Sequence, residues 1–189
     1  MRVRSLLVVS VLLLTACGGT AGAAADRRVA LAFTGGHQTD PVDRGRPVVL
    51  VAAGLGVPAA VFRDAFSRVR PAAAGTEPEG AQVSANKSVL LAALSPYGVT
   101  NELLDRVSNH YRYVASAGQL WPVVTARGYA VVRGSRVLRV VVTSGGSGYS
   151  SSPTVTVPGT TQRVRATLAF GTDLSRNGRV ASLALGSRR

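Results

Sequence analysis

The chain has 189 residues, 46% hydrophobic and 16% charged, with 22 Lys plus Arg against 9 Asp plus Glu and a formal net charge of +13. That hydrophobic share excludes a wholly disordered chain, and the length fits one domain or two small ones. A single Cys, Cys17, excludes an internal disulfide and a Cys-rich zinc site by counting alone.

Arg2 and Arg4 precede an apolar core at residues 6–14, and the run stops at Leu14-Thr15-Ala16-Cys17 ahead of a Gly/Ala stretch. A positive start, an apolar run too short to span a bilayer and small residues at its end read as a processed export signal. Leu14-Thr15-Ala16-Cys17 resembles a bacterial lipobox. The resemblance implies cleavage before Cys17, thioether attachment of a diacylglycerol, acylation of the new N-terminus by a palmitate-like chain, and an anchor in a bacterial membrane. Small Thr15 and Ala16 let a peptidase approach the backbone, and several acyl chains on one residue give an affinity that one chain lacks. Ala23-Ala24-Ala25 offers a second cleavage position, for plain secretion; only lipidation uses Cys17. Export leaves ATP, NAD and chromosomal DNA behind, so neither a cofactor nor nucleic acid is expected.

Residues 1–16 are thus read as signal peptide and 17–40 as a flexible tether, with one short strand at 29–33 by its alternation. Residues 41–122 read as a helical domain of three or four helices. Pro47 opens the apolar run 48–55, and Pro58 starts an amphipathic helix carrying Val61, Phe62, Ala65, Phe66 and Val69. Leu90, Leu91 and Leu94 give another apolar face. Thr100 caps a helix in which Leu103, Leu104, Val107 and Tyr111 share one side, with Glu102 and Asp105 near the positive end of its dipole.

Two motifs here imitate known sites. Gly54-Leu55-Gly56-Val57-Pro58-Ala59 has the look of a dinucleotide-binding turn, but Pro58 removes an amide and no strand-helix-strand unit follows. Ala52, Gly56, Val57, Phe62 and Ala65 fall at helix-turn-helix spacings, which makes a DNA reader a third hypothesis, with Arg63 and Arg68 as its contacts.

Residues 123–189 read as an antiparallel β module, a meander or sandwich-like unit, so the fold class is α+β. Residues 129–132 and 136–143 flank Arg133-Gly134-Ser135 as a hairpin, with Leu138, Val140 and Val142 on one face and Arg139 and Val141 on the other. Val155 and Val157 alternate with threonines, and Val164, Ala166, Leu168 and Phe170 alternate with Arg163, Arg165 and Thr167. Asn177-Gly178 turns the chain into a last strand, 180–185, and residues 179–185 align with 136–142 at an offset of 43. From 127 to 189 there are ten Arg and one acid, Asp173. This basic excess is either a solvated strand face or a patch for a polyanion.

The stretch Gly145-Gly146-Ser147-Gly148-Tyr149, with Pro153 and the strand after it, resembles β repeats of bacterial secreted and surface proteins and of phage tail proteins. The resemblance implies a module and no catalysis. The middle of the chain, through Val61-Phe62-Arg63-Asp64-Ala65-Phe66, Asn86-Lys87, Pro96-Tyr97-Gly98-Val99-Thr100-Asn101 and Leu120-Trp121-Pro122, is similar to a group of uncharacterised secreted bacterial proteins.

Catalysis needs a base in position, and His37 and His110 are the two imidazoles. Ser147 lacks the glycine spacing of a nucleophile elbow. His37, Asp40 and Asp43 recur every third residue and fit either a hard cation or turn and cap roles. Tyr111, Tyr113, Trp121 and Tyr129 cluster where the two parts meet, and serve either as a seal or as stacking platforms. Tyr111, Tyr113, Trp121 and Tyr149 are the candidate ligand contacts; no catalytic or metal-binding residue is assigned. The sequence reading is a non-catalytic exported lipoprotein, anchored through Cys17, that binds an envelope polyanion, glycan or protein. The alternative is an exported hydrolase-like or metal-dependent enzyme using His110 or the His37/Asp40/Asp43 loop.

Overall fold

A computed structural model describes residues 24–70, 79–113 and 117–186. The export signal and Cys17 lie outside them. The fold is α+β, with four α-helices and two antiparallel sheets.

The helices form for the reasons the sequence suggests. α1 (Val48–Leu55) is apolar nearly all round and becomes the buried helix of its layer, with Leu50 fully covered. It stops at Gly56, whose left-handed backbone (φ 74°) returns its N–H to Ala52 and Ala53 carbonyls. Pro58 then precedes α2 (Ala59–Ser67), which leaves α1 at 105°. α3 (Gly80–Leu94) runs into a single 3₁₀ turn, Ser95–Tyr97, and α4 (Asn101–His110) follows. Thr100 caps α4 as expected, its hydroxyl accepting from the Leu103 N–H at 3.2 Å. Backbone amide and Thr100 hydroxyl hold the Glu102 carboxyl below its ordinary range. Leu50, Phe62, Leu94, Leu104, Val107 and Trp121 meet in one core. Among the described residues no single helix is long and apolar enough to cross a membrane.

The segment read as a tether holds two strands rather than one. β1 (Asp26–Ala30) and β2 (Ala32–Thr34) are separated only by Leu31, where the chain passes from one sheet to the other. Each is stabilised by partners far along the chain, so the short segment gives little local warning. β1 lies on β3 (Arg127–Arg133), which pairs with β4 (Arg136–Ser144). β2 lies on β5 (Thr154–Thr156), followed by β6 (Val164–Ala169) and β7 (Arg179–Leu185). The helical segment is therefore an insertion between β2 and β3.

The Gly134-Ser135 hairpin forms at the expected turn, with one correction of facing. Val131 pairs with Arg139 and Val132 with Val137, so Leu138 is the extra residue of a β-bulge. Val137, not Leu138, then shares the inner face with Val140 and Val142. β7 repeats the device: Thr167 pairs with Ser182 and Leu168 with Val180, leaving Ala181 as the extra residue. Leu138 and Ala181 are 43 residues apart, the offset at which the two strands align. Between the sheets lie two thin clusters, one around Val132, Val137 and Val157 and one around Val155, Ala166 and Val180.

Candidate binding surface

The helical and β parts meet at one end of the sheets. Gly148 donates to the Asn177 carbonyl (2.8 Å) and Tyr149 to that of Gly178 (3.0 Å), while Ser147 exchanges two backbone bonds with Val124. Residues 145–149 are thus threaded between 122–126 and 177–178, backbone against backbone. A Cβ at Gly148 (φ 82°) would sit 2.3 Å from the Pro122 carbonyl oxygen, which is why this motif needs glycine there.

The four aromatic candidates all fall at this junction. Tyr149 is 2% exposed, its hydroxyl accepting from the Ala126 N–H at 2.9 Å. Trp121, equally buried, donates from Nε1 to the Gly148 carbonyl at 2.8 Å. The Tyr113 ring meets Trp121 edge-on at 5.4 Å, and its hydroxyl donates to the Gly45 carbonyl. Tyr111 is buried, and burial pushes its hydroxyl above the ordinary tyrosine value, partly offset by a bond from Asn177. The rings are spent on each other, on backbone groups and on the Asn177 side chain, which is the sealing role. His37 joins them, stacked on Tyr149 at 5.5 Å, with its buried Nδ1 lacking a hydrogen-bond partner among the described residues.

Asn177 is the polar bolt of the junction, and its sequence context hides it. Its side chain is buried, donates from Nδ2 to the Leu50 carbonyl and the Tyr111 hydroxyl, both at 2.8 Å, and accepts from the Gly171 N–H at 3.2 Å. An Asn-Gly pair ordinarily marks an exposed turn, so no local signal gives this away.

The acidic loop is also accounted for within the fold. Arg63 forks onto Asp43 (Nε to Oδ1 2.6 Å, Nη2 to Oδ2 2.8 Å) and lies 3.6 Å from Asp40, whose carboxylate accepts from the Val42 N–H. Asp43 thereby holds the guanidinium above its ordinary range. His37 faces the rings instead of these carboxylates, and His110 packs edge-on against Tyr111 at 4.7 Å. Among the described residues no group of three or more His, Cys, Asp and Glu is placed to hold a metal ion. Arg63 and Arg68, the contacts of a helix-turn-helix reader, are both ion-paired, Arg68 with Asp64 at 2.7 Å.

A large concavity lies elsewhere, on the β part. β5 pairs with β6 at a single position, Val155 with Val164, and the strands splay to leave an open groove of about 1480 Å³. Thr154, Thr156, Thr160, Gln162, Arg163 and Arg165 are among its lining residues, above buried Val155 and Val157. Gln162 braces one side, donating to the Gly186 carbonyl at 2.8 Å. The lining offers hydroxyls, an amide and two guanidiniums, without carboxylate, imidazole or thiol. Such a set attracts anionic or hydroxyl-rich ligands. The outward threonines and arginines were legible as a polar face; the splaying that turns them into a groove was not.

No protein-family model, curated protein or solved structure matches the chain.

Proposed function

We propose that the protein is an exported, lipid-anchored envelope component that binds a partner and performs no chemistry of its own. The observation that carries this reading is Leu14-Thr15-Ala16-Cys17, which sets the only thiol of the chain where a lipobox is acylated. Residues 18–25 join Cys17 to β1, and a chain of that length reaches at most about 30 Å. The anchor would therefore hold the β part close to its leaflet. The binding half of the reading is supported by the groove between β5 and β6, whose threonines, Arg163 and Arg165 suit an anionic envelope glycan.

Growth with an alkyne-tagged fatty acid tests the anchor. The wild-type protein is expected in the membrane fraction carrying the tag, and Cys17→Ser is expected to lose it. A wild-type chain that is soluble and untagged would sink the proposal. For the groove, Arg163→Glu with Arg165→Glu should abolish retention on an acidic glycan resin while leaving the circular dichroism spectrum unchanged; undiminished retention would remove the groove from the account.

A further inference from the structure

Seven of the ten described arginines of the β part, all but Arg127, Arg176 and Arg179, lie toward the end of the sheets remote from the helical part. This end holds the start of β1, the β3–β4 turn, the β5–β6 loop and the end of β7, tied together by the Asp26–Arg133 pairing and the Gly186 N–H to Arg163 carbonyl bond (2.8 Å). On the outer face of the three-stranded sheet the side chains form three cross-strand rows. Asp26, Arg133 and Arg136 make the terminal row, Arg28, Val131 and Arg139 the next, and Ala30, Tyr129 and Val141 the third. The face is thus graded, charged at the tip and apolar toward the junction.

The charges in it are not balanced. Arg133 and Arg136 stand directly opposite each other, an unfavourable cross-strand pair, and only Arg133 has a carboxylate, Asp26 at 2.7 Å. Arg28 lies over the Tyr129 ring at 4.7 Å. Arg27, Arg136 and Arg139 are exposed and have no ion pair among the described residues. A surface of exposed guanidiniums with an aromatic and aliphatic row behind it matches the headgroup zone of an anionic bilayer, where arginines meet phosphates and tyrosine sits at the boundary.

We propose that this end of the three-stranded sheet, with Arg28, Arg133, Arg136 and Arg139 on its outer face, is a docking surface for anionic phospholipid headgroups. It seats the protein end-on, with the helical part pointing away from the membrane. The location rests on the anchor reading, because β1 opens this surface and is the first strand after Cys17; the chemistry rests on the arginine rows alone. A lipid chain and a basic patch together make a stable attachment where either alone is weak.

The test uses the chain from residue 18 onward, which carries no lipid and keeps every described residue, mixed with vesicles of phosphatidylcholine with or without phosphatidylglycerol. Binding is expected only to the anionic vesicles and to fall steeply with salt. Each guanidinium near such a surface is worth about fivefold, so Arg28→Gln, Arg136→Gln and Arg139→Gln together should weaken binding on the order of 100-fold. An equal charge loss in the helical part, Arg44→Gln, Arg106→Gln and Arg112→Gln, should leave it within about twofold, as those sites lie off the surface. Equal binding to neutral vesicles, or equal losses from both triple variants, would overturn the proposal. So would absence of vesicle binding with retention on heparin that depends on the same three arginines, which would make the surface a glycan site. Since the chain tested has no lipid, its failure is separate from failure of the fatty-acid labelling.

Discussion

The helical part and the β part use basic residues in opposite ways. In the helical part Arg63 forks onto Asp43, Arg68 pairs with Asp64 and Lys87 with Asp105 at 2.7 Å, so much of its charge is neutralised within the fold. Over the described residues of the β part, ten Arg face only Asp26 and Asp173. A net charge of +13 is therefore largely the property of one region. The packing differs in the same sense. The helices close on large apolar side chains, whereas the sheets rely on Val and Ala and on backbones brought together at glycine.

The comparison breaks most sharply at the glycines. Gly148→Ala, forced into a left-handed backbone and onto the Pro122 carbonyl, should cost at least about 4 kcal/mol in urea unfolding. An equivalent change at exposed Ala92 of α3, to Ser, should cost under about 0.5 kcal/mol. Next comes the bolt between the parts. Asn177→Ala strands the Leu50 carbonyl and the Gly171 N–H and should cost about 3 kcal/mol; a loss below about 1 kcal/mol would mean the parts are held by apolar contact alone.

Charge pairing gives a smaller effect. Arg63→Gln leaves Asp43, 3% exposed, without its cation, and since Arg63 is itself one-third solvated the loss should be about 2 kcal/mol. Arg139→Gln in the β part should change stability by less than about 0.5 kcal/mol, because no carboxylate depends on it. Equal losses at the two arginines would contradict the contrast drawn between the regions.

The smallest effect is a pH dependence. Burial raises the Tyr111 hydroxyl above its ordinary value of 10.0. A folded value above the unfolded one leaves this contribution intact below pH 10.0 and removes it as pH rises through the folded value, when only the unfolded chain ionises freely. Tyr111→Phe should lose about 1 kcal/mol at neutral pH, from its bond with Asn177, and decline less steeply above pH 10.0. Parallel curves for the two proteins would show that Tyr111 does not carry the alkaline transition.

Local physics was legible in the sequence, and long-range pairing was not. Thr100, Pro58 and Gly56 announce helix ends because capping and backbone geometry are decided within a turn. The β3–β4 hairpin is likewise a short-range object. Asp26 and Arg133 are 107 residues apart, so nothing near residues 26–34 says that they complete two sheets. The bulge at Leu138 hid because simple alternation assumes an unbroken period of two. Asn177 hid because burial turned a turn residue into a bolt. Most of the candidate surface hid as well: the arginines are spread over the sequence, and only the strand order brings Arg28, Arg133, Arg136 and Arg139 onto one face.

The central claim, that the arginine-rich end faces the membrane and the helical part faces away, is tested most directly by depth quenching on the protein purified from the membrane fraction. With Cys17 acylated, as the proposal has it, a thiol placed at exposed Ser135 in the β3–β4 turn or at exposed Ser108 in α4 can carry a single fluorophore. In vesicles containing phosphatidylglycerol and a headgroup-bound quencher, the fluorophore at residue 135 is expected to be strongly quenched and that at residue 108 left bright. Equal quenching at both positions, or stronger quenching at residue 108, would contradict the account.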